Sequence, residues 1–145
     1  MSDLHGLYLE DLAIGQAAVY TKTVGEADIV LYAGISGDTN PVHLDAEFAA
    51  TTPFKQRIAH GMLSAGFISA VIGTKLPGPG AIYLSQSLRF KAPVCIGDTV
   101  VARAQISAID PARRRVTITT TCEVRGKVVI DGEAVVMVDS RGTAT

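Results

Sequence analysis

Apolar positions along the chain follow two different rhythms. Up to Leu76 they recur mainly at helical spacing, and from Ala81 onward they mostly alternate. In the first part, Ile29, Val30, Tyr32, Ala33 and Ile35 predict an amphipathic helix over 26–36, with Gly25 before it and Gly37 ending it. A longer helix over 61–76 carries Met62, Leu63, Ala65, Phe67, Ile68, Ala70, Val71 and Ile72, apolar on most faces, which predicts burial. Pro77-Gly78-Pro79-Gly80 stops it. A short helix is expected over 45–50 with Phe48 facing inward, then a loop around Pro53. Strands are expected over 17–24, 81–91, 99–109, 116–124 and 128–138, the last broken or bulged near Asp131-Gly132. Helices followed by consecutive antiparallel strands predict an α+β domain, a long buried helix wrapped by a curved antiparallel sheet. No stretch reads as a linker and no internal repeat is present, so 1–145 reads as one domain with its core at about 14–138 and a loose tail over 140–145.

Composition narrows the class of function. The 145 residues are 48% hydrophobic and 19% charged, with a net charge of −1, so no basic stripe points to nucleic acid. The run Arg113-Arg114-Arg115 reads as a solvated hairpin turn, with a phosphate contact as its functional alternative. Arg89 and Lys91 read as strand-face charges, or alternatively as an adenosine-phosphate contact. Cys95 and Cys122 lie in different parts of the chain without metal-ligand spacing and read as buried, reduced packing residues. The N-terminus carries no signal-peptide pattern, and the apolar segment 62–73 is too short to span a bilayer, so a cytoplasmic protein without a membrane partner is expected.

The candidate chemistry sits in Asp38-Thr39-Asn40-Pro41-Val42-His43. Pro41 has no N–H and pushes Asn40 away from helical angles, so a stiff loop rather than a regular helix is expected here. Such a loop can aim a carboxylate and an imidazole at one point, where they hold a water and move protons. Asp and Asn also favour turns for their own backbone bonds, so the stretch alone fits a structural turn equally well. His60 reads as a helix boundary or packing residue. Gly61 would begin the long helix, where unpaired N–H groups and a partial positive charge can steady an oxyanion. Ser69, inside that helix, either bonds back to a carbonyl one turn earlier or supports the site.

Gly37-Asp38-Thr39-Asn40-Pro41-Val42-His43-Leu44-Asp45, Ile58-Ala59-His60-Gly61-Met62, Tyr83-Leu84-Ser85-Gln86-Ser87-Leu88-Arg89-Phe90, Pro93-Val94 and Gly97-Asp98 follow one another in order. Together they resemble the (R)-specific enoyl-CoA hydratases of the MaoC-like dehydratase group. The likeness covers about 14–138. The resemblance implies a hot-dog fold with 61–76 as its central helix, a homodimer joined sheet edge to sheet edge, and an acyl-CoA tunnel near the subunit interface. It implies Asp38 and His43 as the catalytic pair, Gly61 as the backbone donor to the thioester oxygen, and Ser69 as a supporting residue near the pair. Asn40 and Met62 are placed with substrate. The activity implied is reversible hydration of trans-2-enoyl-CoA to (R)-3-hydroxyacyl-CoA, in fatty-acid or polyhydroxyalkanoate metabolism, with no metal or redox cofactor. Alternatives are dehydration of another hydroxyacyl-CoA or an acyl-carrier-protein substrate, and a hot-dog thioesterase. Against the thioesterase, 61–76 contains no Asp or Glu. A non-catalytic acyl-CoA-binding protein on the same scaffold is the remaining alternative.

Overall fold

The computed structural model describes residues 3–143. Strand β1 (Ala17–Thr23) is followed by helices α1 (Glu26–Ser36), α2 (Pro41–Leu44), α3 (Ala46–Ala50) and α4 (Gly61–Thr74). Then come β2 (Ile82–Gln86), β3 (Arg89–Phe90), β4 (Thr99–Asp110), β5 (Arg115–Val124) and β6 (Lys127–Met137). The sheet is antiparallel with strand order β1-β4-β5-β6-β2, and β3 pairs with β6 beside β2.

Alternation along the strands decides which face meets the helix. Val100, Ala102, Ala104 and Ile106 of β4, Val116, Ile118 and Cys122 of β5, and Ala134 and Val136 of β6 are buried. They form one cluster with Phe67, Ile68, Val71 and Ile72 of α4. Each Val, Ile or Phe among them contributes about 1.5–3 kcal/mol on leaving water, so α4 is held by the sheet that curls round it. This is the hot-dog arrangement. The opposite face of α4 is open: Met62, Gly66, Ser69 and Gly73 are exposed, at the i, i+4, i+7, i+11 spacing of one helical stripe. Burial on most faces, expected from the sequence, therefore holds for the sheet side only.

Other expectations change in detail. The 38–43 segment is not all loop: Pro41–Leu44 closes one helical turn, capped by Asn40, whose Oδ1 accepts from Val42 N–H at 3.0 Å. Proline suits this first helical position because its missing N–H has no intrahelical partner to lose. Phe48 is 45% exposed, and Ala49 is the residue of α3 that turns inward. The single strand expected over 81–91 is two, interrupted at Ser87-Leu88. There the chain presses on β6 so closely that a Cβ on Gly132 would lie 1.8 Å from the Ser87 carbonyl oxygen. The irregularity of β6 lies not at Asp131-Gly132 but at Val129, where the register against β5 shifts. Residues 141–143 form a 3-10 turn rather than a loose tail, with Arg141 bonded to both carboxylate oxygens of Asp11 at 2.8 and 2.9 Å. The rest of the expected tail lies outside the described residues. Of the three arginines, Arg113 and Arg114 lie in the β4–β5 turn, with Arg114 3.6 Å from Asp139, and Arg115 opens β5. Both cysteines are free thiols, Cys122 buried and Cys95 half-buried, and burial pushes the Cys122 thiol up to about 12. Among the described residues no helix is long and apolar enough to cross a membrane.

Candidate active site

Gly37 ends α1 in the left-handed region, at φ 79°, and so turns the chain sharply into the 38–43 segment. Asp38 follows on the exposed side, its Oδ1 accepting from Asn40 N–H at 3.2 Å. His43 sits one residue from the end of α2 and is 8% exposed. Its Nδ1 lies 2.8 Å from the Ile58 carbonyl oxygen. A carbonyl can only accept, so the Nδ1 proton is donated and the neutral ring keeps a lone pair on Nε2. Arg57 locks the turn behind it. Its Nε donates to the His43 carbonyl at 2.6 Å, and its terminal nitrogens grip the Glu26 carboxylate at 2.8 and 3.1 Å. The fork geometry of guanidinium thus fastens α2 to α1.

His60 is the cap position of α4 and is 2% exposed. Its Nε2 lies 2.8 Å from the Asp38 carbonyl oxygen, and its ring stacks on His43 with centroids 3.7 Å apart. Gly61 is the first residue of α4, so its N–H lies outside the intrahelical ladder, at the positive end of the helix. A Cβ there would meet the Phe90 ring at 2.6 Å, which is why glycine fits. Asp38, His43, His60, Gly61, Met62 and Phe90 line one cleft of about 230 Å³. Beside it, sharing Gly61 and Phe90, lies an apolar cavity of about 270 Å³ walled by Phe54, Ile58, Pro93, Val94 and Ile130, with Ser64 at its side.

One donor atom from each of Asp38, His43 and His60 falls within 4.8 Å of the others. The two stacked rings are 25° from parallel. The cluster can hold a small hydrogen-bonding molecule between a carboxylate and an imidazole nitrogen.

The MaoC like domain model matches residues 12–128 of the chain. The chain belongs to the MaoC-like family. Its sequence is 62% identical over 135 residues to the (R)-specific enoyl-CoA hydratase of Rhodospirillum rubrum, covering 93% of this chain and 94% of that protein. It is 49% identical to the 3-hydroxybutyryl-CoA dehydratase of Methylorubrum extorquens, covering 99% and 92%. Its fold superposes on the unliganded R-hydratase PhaJ1 from Pseudomonas aeruginosa with a TM-score of 0.88 and 49% identity, covering 94% and 88%.

In this MaoC-like chain the residues expected at the site do not all assemble. Asp38, His43, Gly61 and Met62 share the cleft. Asn40 caps α2 and lines neither cavity. Ser69 is exposed on the open stripe of α4, eight residues and so about 12 Å along the axis from Gly61. Within this one chain it lines neither cavity. The buried serine of α4 is Ser64, three residues after Gly61 and therefore on its face. Its Oγ has no hydrogen-bond partner among the described residues. The i+3 spacing was a readable signal for it. His60 and Arg57 were also missed as site residues. The motif around His60 was visible, but its two contacts arise only when the chain folds back on itself.

Proposed function

We propose that the protein adds water reversibly to trans-2-enoyl-CoA, giving (R)-3-hydroxyacyl-CoA. The observation that carries this reading is the 2.8 Å contact of His43 Nδ1 with the Ile58 carbonyl oxygen. With Nδ1–H committed to Ile58, Nε2 is left as an acceptor in a cleft that also holds the Asp38 carboxylate and the leading end of α4. The chemistry of the relatives, a hydratase and a 3-hydroxybutyryl-CoA dehydratase, is one reaction in its two directions.

A water between the pair donates one hydrogen to Asp38 and the other to Nε2 of His43. Asp38 takes its proton as the oxygen attacks C3, because unassisted water is a poor nucleophile. Electron density moves onto the thioester oxygen, which the Gly61 N–H and the α4 dipole stabilise. The abstracted proton then passes from the pair to C2 on the same face, so one water is added across the double bond. The polarisation comes from the thioester itself, so the step calls on no resident metal or redox group. The apolar cavity beside Gly61 offers room for the substrate's apolar part. In this reading the protein acts as a cytoplasmic homodimer.

The test is loss of enoyl-thioester absorbance with crotonyl-CoA and with medium-chain homologues, and resolution of the product's chirality. Turnover to the (R) product is expected, falling at least about 10²-fold in a folded Asp38→Asn variant. No turnover at any chain length, release of free CoA thiol instead, or near-full activity in that variant would overturn the reading.

A further inference from the structure

His60 has a role the pair itself does not fill. Asp38 stands on the exposed side of its turn, and its other hydrogen bonds stay local: its N–H donates to Ser36 Oγ at 3.1 Å and its carboxylate accepts from Asn40. The bond that reaches beyond this turn is the one from His60 Nε2–H to its carbonyl. The same imidazole lies flat against His43 and is flanked on another side by Tyr32, at 4.7 Å between centroids. Through the chain it is also joined directly to Gly61. One ring thus touches the backbone of the carboxylate and the face of the imidazole, and it belongs to the residue that precedes the oxyanion donor.

Packing alone does not account for a histidine here. Its Nδ1 is buried with no hydrogen-bond partner among the described residues. A phenyl ring would fill the same space and stack on His43 without leaving a polar atom unpaired, an arrangement that is ordinarily destabilising. What the imidazole adds is the Nε2–H. We propose that His60 is a positioning residue, a neutral imidazole protonated on Nε2 that sets the Asp38 turn against His43. This rests on the hydratase reading. His60 touches no reacting atom in the step and acts through the other two groups.

Two substitutions separate the donor from the ring. His60→Gln places an amide nitrogen near the position of Nε2 and loses the stack. His60→Phe keeps the stack and loses the donor. Wild-type turnover of crotonyl-CoA is measured first, and its absence counts against the hydratase reading rather than against His60. With turnover present, His60→Phe should lower kcat by about 10²-fold, the scale of a small misplacement of reacting groups, with little change in KM. His60→Gln should recover most of that loss. A Phe variant with wild-type kcat, or a Gln variant as impaired as a folded Phe variant, overturns the proposal. Should the Phe variant fail to fold, nitrogen-15 NMR of the wild-type imidazoles decides: a proton on Nε2 of neutral His60 supports it, and the Nδ1–H tautomer or a charged ring overturns it.

Discussion

At the scale of single residues, Gly61 carries two requirements that usually conflict. Its N–H must be open at the end of α4, and its α-carbon must accept something close above it. In this structure that neighbour is Phe90, 54% exposed and able to yield toward solvent. An alanine would keep the N–H but set a methyl group where the thioester has to approach. Gly61→Ala is therefore expected to lower kcat/KM by about 10²-fold, comparable to losing an oxyanion donor. The melting temperature should stay within a few degrees, because Phe90 can move aside. Parallel kinetics and thermal unfolding check this, and a strongly destabilised but fully active variant would refute it. The sequence exposed the residue types needed for proton transfer, because Asp38, His43 and Gly61 lie in short motifs. It passed over Ser64, because which serine of an apolar helix faces the cleft of its own chain depends on the helix's rotation against the sheet. That rotation is set by β4 and β5, far along the chain.

At the scale of elements, the site depends on two junctions, the end of α1 and the beginning of α4. The first is built on a capped helix. Gly25 N–H donates to Asp28 Oδ2 at 2.8 Å, and Lys22 Nζ lies 3.4 Å from its other oxygen. The Gly25 bond, more than Lys22, holds the Asp28 carboxyl below the usual carboxylate range, against partial desolvation. A lowered folded pKa means that the carboxylate's stabilisation is complete above the unfolded value of about 3.9 and is lost as pH falls through the folded value. Asp28→Asn should thus cost about 1 kcal/mol at pH 7, the scale of a helix cap. The gap between wild type and variant should narrow toward pH 3. Urea unfolding at both pH values measures it, and a gap that widens in acid would contradict the assignment. The elements themselves were largely legible, since α1 and β4 to β6 follow clear periodicities. What was not legible came from contacts between distant segments. The break at Ser87-Leu88 follows from β6 lying too close for an unbroken strand, and the docking of 141–143 depends on Asp11. The single turn of α2 was hidden because Pro41 and Asn40 read as helix breakers, whereas at the first turn they act as helix starters.

At the scale of the whole molecule, the open stripe of α4 and the free edge of β2 have no covering layer among the described residues. β2 pairs with β6 on one side, and Ile82, Tyr83 and Leu84 are 51%, 38% and 45% exposed. An exposed apolar edge strand is a template for pairing, and soluble proteins usually protect such edges with charge, proline or a bulge. Here the register shift between Tyr83 and Ser85 is the one such device, and no charged residue lies in the strand. Pairing with a second copy would extend the sheet. The small residues Gly66, Ser69 and Gly73 would let a second backbone approach α4. Light scattering should therefore give twice the chain mass. Replacing Leu84 with Lys should shift the protein toward monomer and lower turnover in step with the monomer fraction. A monomer of full activity would show that the cleft of one chain suffices, and that the bare edge serves something other than the active site.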